Sequence, residues 1–252
     1  MPRYFLKLTY RGTAYHGWQI QKNAHTVQAE INEKISVLCG EPVDVTGCGR
    51  TDTGVHARNF YLHFDLQQPL TFTPQNFVFR LNRFLPEDIA VYGAWEVPQE
   101  RHARFDVISR TYRYYISRQK DPFVQGTALI FTGKLNVDAM QQAAGFLLDY
   151  ADFTSFSKLH TQTTTNLCRL TEAGWEQREQ ILIFTITADR FLRNMVRAIV
   201  GTLLEIGKGK LKPEDMKAII EAEDRCKAGY SAPAKGLFLE EVRYPFEFKG
   251  DF

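Results

Sequence analysis

Gly47-Cys48-Gly49-Arg50-Thr51-Asp52-Thr53-Gly54-Val55-His56-Ala57-Arg58-Asn59-Phe60-Tyr61-Leu62-His63-Phe64-Asp65-Leu66 runs from a polar, glycine-bearing loop directly into a strand. From Asn59 onward the apolar Phe60, Leu62 and Phe64 alternate with Tyr61, His63 and Asp65, the period of a strand that buries one face. Upstream, Val43 to Cys48 reads as the strand that enters the loop. Before it, Thr26 caps a helix whose Val27, Ile31, Ile35 and Leu38 recur at helical spacing and which ends at Gly40. Arg3 to Tyr10 alternates and forms a first strand. Downstream, Pro74 opens a helix to about Phe84, and Ile89 to Trp95 supplies a last strand. The order is β-α-β-β-α-β.

Beyond a connection at Pro98 to Arg101 the order recurs. A strand is predicted at Ser109 to Ser117 and a helix from Val137 to Leu148. Thr165 to Trp175 and Gln180 to Ala188 form a hairpin around Gln177-Arg178-Glu179. Helices follow at Leu192 to Ile206, bounded by Gly207, and at Pro213 to Ala222, before a strand from Leu237 to Tyr244. The halves share the pattern without sequence identity. The expected fold class is therefore α+β. Two ferredoxin-like units, residues 1–100 and 101–252, would contribute to a mixed, largely antiparallel central sheet, with a cleft between the halves.

Composition narrows the function classes. At 252 residues, with 44% hydrophobic and 24% charged side chains, the chain can bury a core. Its apolar runs fall short of the roughly 18 residues that cross a bilayer. The start, Met1 to Tyr10, has neither a continuous apolar region nor a small-residue cleavage site, so a cytoplasmic location is expected. Cys39, Cys48, Cys168 and Cys226 lie far apart with no C-x-x-C pair, which argues against structural zinc and for reduced thiols. Net charge is only +2. The positive charge is concentrated instead, with Arg101, Arg104, Arg110, Arg113, Arg118 and Lys120 set against Asp106 alone between Arg101 and Lys120. Such a cluster suits phosphate.

The loop Gly47 to Ala57 is dense in reactive residue types. Its glycines let the backbone turn sharply and approach a ligand. Arg50, two residues before Asp52, is placed to hold that carboxylate ionised and oriented, although a hairpin loop with a surface ion pair has the same spacing. Asp52-Thr53-Gly54 is also the tripeptide of aspartic proteases. Those need a second carboxylate on an equivalent loop, and the approach here is Gly-Arg-Thr rather than a hydrophobic strand. Zinc-dependent base deamination would need H-x-E with P-C-x-x-C, and neither motif occurs.

Seven segments in order resemble the tRNA pseudouridine synthases of the TruA type. They are Gly12 to Gln21, Gly49 to Ala57, His102-Ala103-Arg104-Phe105, Arg110-Thr111-Tyr112-Arg113-Tyr114, Asp152-Phe153-Thr154-Ser155-Phe156, Phe191 to Gly201, and Pro233 to Leu239. Together they span most of the chain. The departures are Arg11 in place of a usual Asp, Thr53 in place of a frequent Ala, and Arg101 where an aromatic is usual; none removes a presumed catalytic group.

The resemblance implies a pseudouridine-synthase fold and conversion of uridine to pseudouridine without a cofactor or metal. Asp52 would be the essential carboxylate, as nucleophile on the ribose or base or by proton abstraction on a glycal-like route, with Arg50 beside it. Tyr112 shares a strand face with Tyr114 and Ile116. A Tyr there is ordinarily core, but the family places it under the target base. Arg190, Arg193 and Arg197 follow at intervals of three and four and read as one basic helix stripe. Arg197 lies among Met195, Val196, Ile199 and Val200 and needs an anionic partner, for which the resemblance supplies Asp52. Gly201 one turn on permits a close backbone approach. Leu237 corresponds to a pocket wall beside the base. A flipped-out uridine costs a few kcal/mol, which phosphate contacts from Arg58, Arg104, Arg110, Arg190 and Arg193 would offset. By the same resemblance the substrate is the tRNA anticodon arm at uridines 38 to 40, and the enzyme is a homodimer. The rival from another class is a non-catalytic RNA-binding protein on the same fold.

Overall fold

The structure, a computed structural model, describes residues 1–158 and 165–248. It is a mixed α+β fold with nine strands and five α-helices among those residues. Two units emerge, one of Met1–Ile108 with Leu239–Phe252 and one of Ser109–Phe238.

The first unit runs β1 (Arg3–Tyr10), α1 (Val27–Cys39), β2 (Thr46–Gly47), β3 (His56–Asp65), α2 (Pro74–Phe84) and β4 (Ile89–Val97), in the predicted order. The Thr26 hydroxyl accepts the Ala29 amide at 3.4 Å to start α1, and Gly40 in the left-handed region at φ 72° ends it. Thr73 caps α2 in the same way, with Pro74 in the first turn. Strand β1 lies between β4 and β3, antiparallel to both, and β2 adds to β3. Val43 to Cys48, predicted as strand, gives only the two-residue β2. The register sets Tyr4 opposite Phe64, Leu6 opposite Leu62 and Leu8 opposite Phe60. This face takes the helices, through Val27, Ile31 and Ile35 of α1 and Phe77 and Leu81 of α2.

The opposite face of β1 and β3 is not left to water. Phe5 is fully buried beneath Tyr244, Phe246 and Phe248, with ring centroids 5.5–6.2 Å away. Tyr61 and Trp95 complete the aromatic layer. His63, opposite Phe5, is 5% exposed, and its Nδ1 accepts the Ala103 amide at 3.1 Å. Burial first, and then Arg3 and His102, push its pKa down to about 4, against the pull of Asp65 and Asp106. A histidine depressed in the fold makes the unfolded chain the stronger proton acceptor between its two pKa values. Stability contributed by His63 is therefore complete above pH ~6.5 and is lost as pH falls toward about 4. The melting temperature should drop over that window, and His63→Phe should flatten the drop in thermal melts at stepped pH.

The second unit contains β5 (Ser109–Ser117), β6 (Leu129–Ile130), α3 (Val137–Phe146), β7 (Leu170–Arg178), β8 (Ile181–Ala188), α4 (Met195–Gly207) and α5 (Asp215–Glu221). Strand β9 (Leu237–Arg243) is assigned to this unit at Leu237 and Phe238 and to the first from Leu239. In the second unit β8 lies between β5 and β7, antiparallel to both, and β6 runs parallel to β5. The β7–β8 hairpin turns one residue later than expected, at Glu179 in the left-handed region (φ 51°), and β7 begins at Leu170 rather than Thr165. Helix α5 starts at Asp215, not Pro213, because Pro213 and Glu214 form a preceding turn.

Helix α4 begins at Met195 rather than Leu192. Asn194 stands in the left-handed region at φ 68°, which no continuing right-handed helix admits. Its side-chain amide is held by the Ser231 hydroxyl at 2.6 Å. The basic helix stripe predicted from Arg190, Arg193 and Arg197 is consequently not a helix face: of the three, only Arg197 lies on α4. Among the described residues no disulfide joins the cysteines, no three His, Cys, Asp or Glu cluster as metal ligands, and no helix is long and apolar enough to cross a membrane.

Candidate active site

In the first unit Asp52 occupies a loop tied down on both sides. Thr51 is 9% exposed, and its hydroxyl meets the buried Tyr10 hydroxyl at 2.8 Å. Its carbonyl accepts the Trp18 amide at 3.2 Å. After Asp52, the Gly54 amide donates to the Tyr15 carbonyl at 3.3 Å and the Val55 amide donates to the Asp52 carbonyl at 3.1 Å, closing a turn. Gly54 sits at φ 78°, a conformation that favours glycine there. His56, fully buried, accepts the Gly12 amide at its Nδ1.

The segment Gly12 to Trp18 thus serves as the loop's bed, which explains why its sequence accompanies the Asp52 loop. Gly17, at φ 87°, approaches so closely that a Cβ there would lie 2.5 Å from the Thr51 carbonyl oxygen. A Cβ on Gly12 would collide with the Val55 carbonyl. Tyr15 is in turn held by its hydroxyl donating to Asp88 at 2.7 Å. Asp52 itself is half-buried on this fixed backbone.

Arg50 stands two residues before Asp52 on this loop, with its side chain exposed. Arg58, on β3, is 58% exposed and pairs with Glu240 at 3.1 Å. Arg104 is exposed on the turn that follows Arg101.

In the second unit Tyr112 is buried on β5, alternating with Tyr114 and Ile116 as predicted. The Phe191 ring stands edge-on to it at 5.1 Å. Beside it on the strand, Tyr114 is fully buried and donates its hydroxyl to the Pro233 carbonyl at 2.8 Å. Burial raises the pKa of that phenol, so it remains a neutral donor. Gly236 packs against the Tyr114 ring, and buried Leu237 follows at the start of β9.

Arg197 projects from α4 half-buried, with its Nε donating to the Ala232 carbonyl at 2.8 Å. The Ala232 amide donates back to the Arg197 carbonyl at 2.9 Å. This two-way clamp fixes the guanidinium plane and leaves its terminal nitrogens directional. Arg110 donates to the Asp189 carbonyl at 3.0 Å, next to Arg190, while Arg193 is exposed in the turn before α4. The second unit therefore groups Tyr112, Arg110, Arg190, Arg193, Arg197 and Leu237. The first holds Arg50, Asp52, Arg58 and Arg104. Reading the sequence singled out none of Tyr10, Tyr15 or the Gly229–Ala232 segment. Their contribution is hydrogen bonding across long sequence separations, which leaves no local pattern.

A family model described as tRNA pseudouridine synthase matches residues 8–106 and 147–245. The tRNA pseudouridine synthase A of Parabacteroides distasonis is 52% identical over 250 residues, covering 98% of each chain. That of Porphyromonas gingivalis is 52% identical over 247 residues, 97% of this chain and 98% of its own. A more distant relative of the same name, from Clostridium acetobutylicum, is 43% identical over 241 residues, 95% of this chain and 98% of its own.

Proposed function

This chain belongs to the tRNA pseudouridine synthase family, a family of isomerases, and from that premise we propose that it converts uridine to pseudouridine in the anticodon arm of tRNA, at positions 38 to 40. The observation that carries the reading is the Asp52 loop, a half-buried carboxylate residue on a backbone bonded at Thr51, Gly54 and Val55. Catalysis by positioning needs such a fixed group.

The reaction breaks the N1–C1′ bond, turns the uracil and forms C5–C1′. The C5 proton leaves to solvent and N1 regains one, so atoms balance with no oxidant, reductant or cofactor. Asp52 acts as the nucleophile, attacking the ribose or the base, or takes a proton on the glycal-like route. Tyr112 stacks beneath the uracil and is close to C5 when that proton departs. Arg197, oriented through Ala232, meets an anionic group of the RNA substrate. Leu237 walls the base. Arg50 keeps the Asp52 carboxylate ionised and the loop anchored, and the phosphate contacts fall to Arg58, Arg104, Arg110, Arg190 and Arg193.

Residues 1–100 thus carry the aspartate loop, and residues 101–252 the tyrosine strand and arginine helix. The active species is a homodimer in the cytoplasm, where its tRNA substrate resides. The test is tritium release from tRNA transcripts labelled at uridine C5, in buffer with a chelator, followed by mapping of the product positions. Release at positions 38 to 40 supports the reading. Binding of tRNA without release from any of several transcripts would instead establish a non-catalytic RNA-binding protein.

A further inference from the structure

The turn at residues 102–106 holds one aromatic ring out into solvent by a set of hydrogen bonds that the reaction as described does not use. The Arg104 and Phe105 amides both donate to Nδ1 of His102, at 3.1 and 3.2 Å. The His102 amide donates to the Asp106 carboxylate at 2.8 Å, and the Asp106 amide donates to the His102 carbonyl at 3.1 Å. Ala103, fully buried, anchors the turn from below. Its amide donates to His63, and its carbonyl accepts the Tyr244 hydroxyl at 2.6 Å. On this base the Phe105 ring lies stacked on the His102 imidazole, centroids 4.2 Å apart and planes 29° from parallel. It is nevertheless 74% exposed. His102 backs the ring and the Arg104 guanidinium lies over it at 5.8 Å, while most of the side chain stays exposed.

An exposed phenyl ring forfeits burial that the chain could have gained, and a floppy turn would have let the ring fold down. Here the turn is fixed with the ring up. The ligand class follows from the neighbours. Arg104 is exposed on the same turn, its guanidinium 5.8 Å from the ring centroid, and Arg101 lies just before it over Phe246. Phe123 is a useful contrast: it is 95% exposed, but the Asp121 carboxylate accepts its amide at 2.8 Å, so a carboxylate rather than an arginine adjoins it. A rigid aromatic face flanked by arginine is the arrangement on which unpaired bases stack while phosphates meet the cation.

We propose that Phe105 is a stacking platform for an unpaired nucleobase of the RNA substrate outside the target uridine, with Arg104 on the adjoining phosphate. The inference rests on the RNA substrate named under Proposed function, and deepens it with a second base-contacting site on a separate turn of the first unit. Phe105 determines affinity and placement, and takes no part in bond making.

The test uses the full chain, a fluorescently labelled anticodon-arm RNA and a fully paired RNA duplex of equal length. Phe105→Ala should raise Kd for the arm about 10-fold, within the range for loss of one stacked base, with no change in melting temperature or in duplex binding. Phe105→Trp should bind within about twofold of wild type, as the π-face is kept. The slope of log K against log salt should stay unchanged in Phe105→Ala and fall by about one in Arg104→Ala. Arm binding by Phe105→Ala within twofold of wild type overturns the proposal. So does an altered oligomeric state of Phe105→Ala by light scattering, which would give this face to a second copy of the chain. Failure of the wild type to bind or turn over any tRNA overturns the functional reading itself, a separate outcome from a silent Phe105→Ala in an active enzyme.

Discussion

Replacing Asp52 with alanine or asparagine is expected to lower turnover by about 10⁴-fold or more, the scale seen when a nucleophile is removed from a working constellation. Tritium release is the measurement, and the affinity for tRNA should stay within a few-fold of wild type. The reason for separating the two lies in the physics of the grip. Binding of a polyanion is dominated by cations released and phosphates neutralised, and deletion of a carboxylate removes no such contact. The loop should keep its shape, since the bonds that define it are made by neighbours. Thr51 is held by Tyr10 and Trp18, Gly54 by Tyr15, and the Asp52 carbonyl by the Val55 amide. Asparagine preserves size and polarity, so residual turnover in Asp52→Asn close to wild type would remove Asp52 from the chemistry. A large loss of affinity with unchanged circular dichroism would mean that the carboxylate organises the RNA-binding surface instead.

The first unit was legible in its sequence because its strands and helices announce themselves locally. Alternation in Phe60 to Phe64, the cap Thr26, Pro74 in the first turn and Gly40 each act over a few residues, and each is found in its predicted role. The basic stripe shows where spacing misleads. Proximity along the chain does not set helical phase across a residue such as Asn194, whose left-handed backbone restarts the count. The aromatic layer of Tyr244, Phe246 and Phe248 over Phe5 was hidden for another reason. It joins residues about 240 positions apart, and nothing in either stretch names its partner. The same is true of the bed of Tyr10 to Trp18 beneath the Asp52 loop. Motif resemblance singled out Gly12 to Gln21 together with the Asp52 loop, but only hydrogen bonding explains what the one does for the other.

The largest loss of stability from a small substitution is expected at Gly201. A Cβ there would strike the Tyr230 carbonyl, with the Ala232 amide 3.5 Å away on the other side. Both obstacles are backbone, so no rotamer change relieves the contact. The Gly229–Ala232 segment is fastened along α4 by a chain of bonds. The Gly229 amide donates to the Thr202 hydroxyl at 2.8 Å, Asn194 to the Ser231 hydroxyl, and Arg225 to the Gly229 carbonyl at 3.0 Å. Pushing this segment off the helix strains all of them at once. Gly201→Ala should therefore cost about 3 kcal/mol, or a fall of about 10 °C in melting temperature for a chain of this size. Activity should fall further than stability accounts for, because Ala232 orients Arg197 at Nε and moves with the segment. The comparison that separates the two effects is Arg197→Lys, which keeps the charge but lacks the planar donor that Ala232 fixes. Assayed at 20 °C, well below either melting point, both variants should show reduced kcat. A Gly201→Ala protein with wild-type kcat at that temperature would show that α4 and the segment laid upon it contribute stability alone.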